Sequence, residues 1–123
     1  MAFRLLKAHT PGAYTFIFKA TKEVPKRLMN AKRKTIGIRV PDNKIALDLL
    51  EAMGEPLMST SLILPGNETT ESDPEEIRDS LEHAVDVILN GGYLGEQPTT
   101  VIDFSDDDAV VLRRGAGDPA PFE

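Results

Sequence analysis

Cysteine and tryptophan are both absent from this 123-residue chain. Without cysteine there is no disulfide framework, no thiol nucleophile and no thiolate zinc site. Histidine is scarce as well. His9 and His83 stand far apart with no partner spacing, so neither reads as a metal ligand or a catalytic base. No Gly-x-Ser-x-Gly elbow presents a serine nucleophile, which leaves hydrolase chemistry without a motif. No apolar run approaches the roughly 18 residues of a membrane span, and the apolar part of residues 1–7 is too short for a signal peptide. The expectation is a cytoplasmic chain with no membrane partner, built as one domain.

Acids are what the first third lacks. Residues 1–44 hold eleven basic side chains against Glu23 and Asp42, a local charge of +9, within a chain whose net charge is −6. Residues 45–123 carry −15, with only Arg78, Arg113 and Arg114 as cations. An asymmetry of this size points to a polyanionic partner. Its densest part is residues 22–34, where Lys22, Lys26, Arg27, Lys32, Arg33 and Lys34 cluster around a helical turn predicted after Pro25. These six are the candidate RNA-binding residues.

Hydrophobic spacing predicts the elements. Phe3 to His9 reads as the last turns of a helix closed by Thr10-Pro11-Gly12. In Tyr14-Thr-Phe-Ile-Phe-Lys19, period 2 puts Tyr14, Phe16 and Phe18 on one strand face, and core packing is the better use for three such rings. In the strand from Lys34 to Val40, Ile36, Ile38 and Val40 share one face, while Thr35, Gly37 and Arg39 share the other. That second face joins a hydroxyl to a guanidinium across a residue with no side chain, so a ligand can lie close to the backbone. A helix with Asp42 as N-cap follows, with Ile45, Leu49 and Met53 on one stripe and Gly54 as its stop.

Leu57 to Leu64 is predicted as an apolar strand with Ser59 and Ser61 on one face and Thr60 opposite. After a loop, Asp73-Pro74-Glu75-Glu76 is a strong helix start, with Ile77, Leu81 and Ala84 as the buried stripe. Val85 to Leu89 reads as a short strand, and Thr99 to Phe104 pairs with Ala109 to Arg113 as a hairpin. The acidic turn Asp106 to Asp108 faces water, and no metal site is assigned. Residues 115–123, rich in proline and glycine, are expected to be a flexible tail. Helices alternating with strands predict an α/β sheet with helices packed on it.

Six segments then resemble the YrdC/YciO family, which includes threonylcarbamoyl-AMP synthases. They are Pro11-Gly12-Ala-Tyr-Thr-Phe, Lys34-Thr-Ile-Gly-Ile-Arg-Val-Pro41, Gly54-Glu-Pro-Leu-Met-Ser-Thr-Ser61, Val85-Asp-Val-Ile-Leu-Asn-Gly-Gly92, Pro98-Thr-Thr-Val-Ile-Asp103 and Val111-Leu-Arg-Arg-Gly115. They occur in family order, and Ser61-Leu62-Ile63-Leu64-Pro65-Gly66 is most similar to the YciO branch. The resemblance implies an open, twisted mixed α/β sheet with flanking helices and a concave positive cavity. It implies condensation of L-threonine, bicarbonate and ATP, with magnesium, to threonylcarbamoyl-adenylate and pyrophosphate, used to modify tRNA. A non-catalytic module for tRNA or double-stranded RNA is the alternative.

Carried over by position, the resemblance makes Thr35, Ser61, Thr69 and Arg113 nucleotide-binding candidates, and Arg39, Ser59 and Thr99 threonine-binding candidates. Two departures are visible. The family's Ser-Thr-Ser-Ala-Asn signature has Leu62 and Ile63 in its last two places here, losing the asparagine amide. The family's long N-terminal stretch, with its Pro-Thr-Asp-Thr-x-Tyr-Gly and Lys-x-Arg elements, has no counterpart. Residues 1–114 are therefore expected to be a partial YrdC-like domain, open to self-association along an exposed sheet edge.

Overall fold

The computed structural model describes residues 2–95, 97–106 and 108–123. The chain forms helix α1 (Ala2–His9), strand β1 (Tyr14–Lys19), a 3-10 turn (Lys26–Leu28), strand β2 (Thr35–Ile38), helices α2 (Lys44–Met53) and α3 (Pro74–Leu81), strands β3 (Thr100–Asp103) and β4 (Val110–Arg113), and a last 3-10 turn (Ala120–Phe122). It divides into two compact units, Met1–Met58 with Thr99–Glu123, and Ser59–Pro98. No helix among the described residues is long and apolar enough to cross a membrane.

The first unit is built on a four-stranded open sheet of order β2-β1-β3-β4. β1 pairs antiparallel with β2 and parallel with β3, and β3 pairs antiparallel with β4, so the sheet is mixed. Register sorts the side chains. Phe16 pairs with Ile38 and with Ile102, and Ile102 with Val111, which places the apolar positions of four strands on one face. On that face Tyr14, Phe16, Ile102 and Phe122 are buried, with Leu5 and Leu6 of α1, Phe18, Phe104, Ala109 and Val111 packed against them. The rings meet at the offsets aromatic pairs prefer: Phe18 stacks on Phe104 at 5.5 Å, and Phe122 meets Tyr14 edge-on at 5.3 Å.

Phe122 corrects the reading of residues 115–123 as a flexible tail. Its ring is 4% exposed, and the segment before it is bonded to the sheet. Thr100 donates its hydroxyl to the Gly117 carbonyl at 2.5 Å, and Tyr14 donates its own to the Asp118 carbonyl at 2.9 Å. A Cβ on Gly117 would stand 2.6 Å from the Tyr14 ring, so only glycine lets the chain lie this close. Proline and glycine here serve a close-packed crossing rather than disorder.

Helix ends follow local chemistry. α2 is capped by Asn43, not by Asp42 as predicted: the Asn43 Oδ1 accepts from the Ala46 N–H at 3.0 Å. Gly54 closes it in the left-handed conformation, φ 70°. The stripe Ile45, Leu49 and Met53 is largely exposed, while Ala46, Leu47 and Leu50 are half-buried.

In the second unit, α3 begins as predicted, with the Asp73 side chain accepting from the Glu75 N–H and proline in the first turn. Ile77 and Leu81 are half-buried, but Ala84 is exposed. Two predicted strands are absent. Residues 57–64 and 85–89 form no ladder among the described residues, and the one backbone bond at residue 62 comes from the Glu71 N–H to the Leu62 carbonyl. Apolar composition alone does not make a strand when no neighbouring backbone supplies partners.

Candidate functional site

The polar face of the sheet lies opposite the aromatic core. Lys19 pairs with Thr35 and Ile17 with Gly37, Thr15 with Val101 and Ile17 with Asp103, and Val101 with Arg113. Paired residues share a face, so Thr15, Ile17, Thr35, Gly37, Val101, Asp103 and Arg113 all lie on this side. Thr99, one residue before β3, is tied to this face by its bonds to Thr15 and Arg113. Three predicted site residues, Thr35, Thr99 and Arg113, are thereby brought to one face of one sheet, and Arg39 follows one residue past the end of β2.

Their side chains differ in freedom. Thr99 is 7% exposed and is held at two points. Arg113 donates to its carbonyl through Nε at 3.0 Å and Nη2 at 2.8 Å, and Nη2 also reaches the Thr99 hydroxyl at 3.2 Å. The Thr99 hydroxyl meets the Thr15 hydroxyl at 2.7 Å. Thr15 is a member of this hydrogen-bonded cluster that sequence reading did not single out. Its only signal was parity: it lies between Tyr14 and Phe16 and so points away from the core they build.

Thr35 is buried at the foot of a tight turn. Asn30 donates its N–H to the Thr35 carbonyl at 2.8 Å and accepts from the Lys34 N–H at 2.7 Å. The Asn30 Oδ1 accepts from the N–H groups of Lys32 and Arg33, both at 3.0 Å. Lys34 sits in the left-handed region, φ 53°, where the turn enters β2. Arg39 is exposed and makes no ion pair among the described residues.

Of the six cations assigned to RNA, all are exposed, but Arg33 is engaged. Its Nη2 lies 2.9 Å from the Asp103 Oδ2, tying the basic loop to β3. Asp103 also accepts from the Ser105 N–H at 2.8 Å. Hydrogen bonds from Ser105, its hydroxyl foremost and then its N–H, together with the Arg33 guanidinium, outweigh burial and hold the Asp103 carboxyl below its ordinary pKa.

The remaining candidates belong to the second unit. Ser59 and Thr69 are exposed and Ser61 is half-buried. With no strand at residues 57–64, the predicted parity of Ser59 and Ser61 has no sheet to refer to. Asp106 and Asp108 are exposed, and Asp107 lies outside the described residues.

Chemically, the polar face offers hydroxyls, two guanidinium groups and a glycine floor. Such a surface recognises carboxylate or phosphate oxygens by charge-assisted hydrogen bonds.

The chain is similar to known proteins along nearly its whole length. A family model for Sua5, YciO and YrdC proteins, described as Telomere recombination, matches residues 1–115. YciO of Escherichia coli is 67% identical over 122 residues, which cover 99% of this chain and 59% of the relative. Its crystal structure matches with a TM-score of 0.93, again over 99% of this chain and 59% of that one. Threonylcarbamoyl-AMP synthase of Bacillus subtilis is 31% identical over 112 residues, 90% of this chain and 32% of the relative. P. abyssi Sua5 complexed with L-threonine is similar at 26% identity and a TM-score of 0.80, covering 93% of this chain and 33% of that one. The chain thus spans 59% of the length of the YciO relatives it matches.

Proposed function

We propose, from the premise that this chain belongs to the Sua5/YciO/YrdC family, that the polar face of its sheet binds L-threonine and an adenine nucleotide. The observation that carries this reading is the placement of Thr35 and Arg113 on that face, with Thr99 bonded to Arg113 and Arg39 one residue past β2. In this proposal Arg39 and Thr99 take the threonine, with the guanidinium on its carboxylate. Thr35 and Arg113 take the nucleotide, with the guanidinium on phosphate. Ser59, for threonine, and Ser61 and Thr69, for nucleotide, enter by family resemblance alone.

The chemistry served is that of threonylcarbamoyl-AMP synthesis, in which threonine, bicarbonate and ATP give the adenylate and pyrophosphate. ATP would enter as substrate, carrying magnesium on its phosphates, in the cytoplasmic setting where tRNA is modified. The four first-unit residues supply positioning and charge. The Bacillus subtilis synthase and the P. abyssi structure with L-threonine support the ligand class.

Isothermal titration of the chain with L-threonine and with AMP tests the reading. A lost hydrogen bond to a charged group is worth about 1.5–3 kcal/mol, roughly a tenfold to hundredfold loss of affinity. Arg39→Ala should produce that loss for threonine, and Arg113→Ala for AMP. Failure of the unsubstituted chain to bind either ligand would sink the reading.

A second reading has its own observation. Lys22, Lys26, Arg27, Lys32 and Lys34 are exposed within one short loop region, with Arg33 anchoring it through Asp103. This set suits duplex RNA phosphates. Affinity for a short RNA duplex should fall linearly in log–log terms with salt, by about 0.9 per phosphate contacted on the duplex-DNA scale. A salt-independent affinity would exclude it.

A further inference from the structure

The hydroxyl protons around Thr99 do not balance, and the imbalance has a use. Thr15 and Thr99 each own one O–H and share a single hydrogen bond of 2.7 Å. The bond consumes one proton and leaves the other without an acceptor among the described residues. Arg113 enforces the shortage. Its Nε and Nη2 are already spent on Thr99, and Nη2 also occupies one lone pair of the Thr99 hydroxyl. Its Nη1 makes no hydrogen bond among the described residues. The three residues therefore present, side by side, one spare hydroxyl donor and two spare guanidinium protons.

Thr15 is half-buried. Its diagonal neighbour on β2 is Gly37, where a Cβ would stand 3.3 Å from the Thr15 Cγ2. A side chain at 37 would crowd the Thr15 methyl. A bond made only to brace β1 against β3 would need neither the bare neighbour nor the arginine.

We infer that Thr15 is a ligand-positioning residue: through Thr99 it forms, with Arg113, a donor-rich anchor for an anionic oxygen on the polar face of the sheet. Whichever proton enters the shared bond leaves the other hydroxyl free to donate. The anchor fits a carboxylate or a phosphate oxygen, which accepts several hydrogen bonds and donates none. This inference rests on the ligand reading above and adds to it a residue to which the family resemblance assigned no ligand. It also links two assignments, since Thr99 and Arg113, assigned to different ligands, form one hydrogen-bonded unit.

The test is titration of the full chain and its Thr15 variants with L-threonine in one arm and AMP in the other, which tells carboxylate from phosphate. Thr15→Val keeps the shape and the strand preference but loses the hydroxyl. Binding in one arm should weaken about 2- to 10-fold, the worth of one neutral hydrogen bond. Thr15→Ser should restore it. Thr15→Ala serves as the second hydroxyl-free variant should valine disturb folding, and thermal melts establish which variants are folded. If Thr15→Val binds both ligands as the parent does while Arg113→Ala does not, the inference falls and the ligand reading stands. If Thr15→Ser loses as much as Thr15→Val, packing and not the hydroxyl is responsible, and the inference again falls. If the parent chain binds neither ligand, both fall together.

Discussion

The two units of this chain use apolar residues to opposite effect. In the first, Phe16 and Ile102 are 1% and 0% exposed. In the second, none of the described residues is buried, although Val87, Leu89 and Leu94 are 73%, 57% and 54% exposed. Hydrophobic residues are sparser there, yet those present also lack a surface to close on. Period-2 residues of a paired sheet share one plane, so α1 and Phe122 can cover them all at once. Residues 59–98 contain one eight-residue helix and no strand ladder among the described residues. A core therefore needs two layers, and composition supplies at most one.

The sharpest way to break this comparison is to delete one large apolar side chain from each unit. Phe16→Ala should destabilise the chain by about 3–5 kcal/mol, through lost transfer energy and the cavity left behind. Leu89→Ala should fall within about 0.5 kcal/mol of the parent, as for exposed positions generally. Urea titration followed by far-UV circular dichroism measures both. Similar losses from the two substitutions would mean that residue 89 is covered in solution, and the contrast between the units would disappear.

A smaller effect tests what ties the basic loop to the sheet. The Asp103 carboxyl titrates below its ordinary value, held there by Ser105 and Arg33. A carboxyl with a depressed folded pKa contributes stability that is complete above the unfolded pKa of about 3.9 and is lost as pH falls through the folded value. Asp103→Asn should therefore cost about 2 kcal/mol at pH 7. Its midpoint should converge with the parent's as pH drops below about 4. A gap that stays constant from neutral to acid pH would assign the cost to shape rather than charge.

What the sequence made legible divides along the same line. The aromatic alternation at Tyr14, Phe16 and Phe18, the hairpin of β3 and β4, and the shared face of Thr35 and Gly37 were all readable, because each depends on a short period within a strand that finds its partners. Family motifs added Thr99 and Arg113, which no local period connects to Thr35. Residues 57–64 and 85–89 read equally well as strands and are not, since pairing is a property of the neighbour and leaves no trace in the segment itself. Phe122 was hidden by its setting: the prolines and glycines that usually mark a loose end here allow the backbone to approach Tyr14. Thr15 escaped notice because threonine suits any strand, and only its bond to the Thr99 hydroxyl gives its own hydroxyl a partner.

The finest test of the comparison uses two helix caps that are chemically alike. Asn43 accepts from the Ala46 N–H at the start of α2, in the first unit. Asp73 accepts from the Glu75 N–H at the start of α3, in the second. Either substitution to alanine removes about 1 kcal/mol of local helix stability. Where that loss appears should differ. α2 belongs to the unit that holds the buried core, so Asn43→Ala should lower the global unfolding midpoint. Neither helix has a fully buried residue, but the unit of α3 has none anywhere among its described residues, and a helix without a core to pack on opens locally at low cost. Asp73→Ala should leave the midpoint unchanged and instead speed amide exchange along Pro74–Leu81. Equal shifts of the midpoint from both caps would show that residues 59–98 unfold together with the sheet, as one cooperative body.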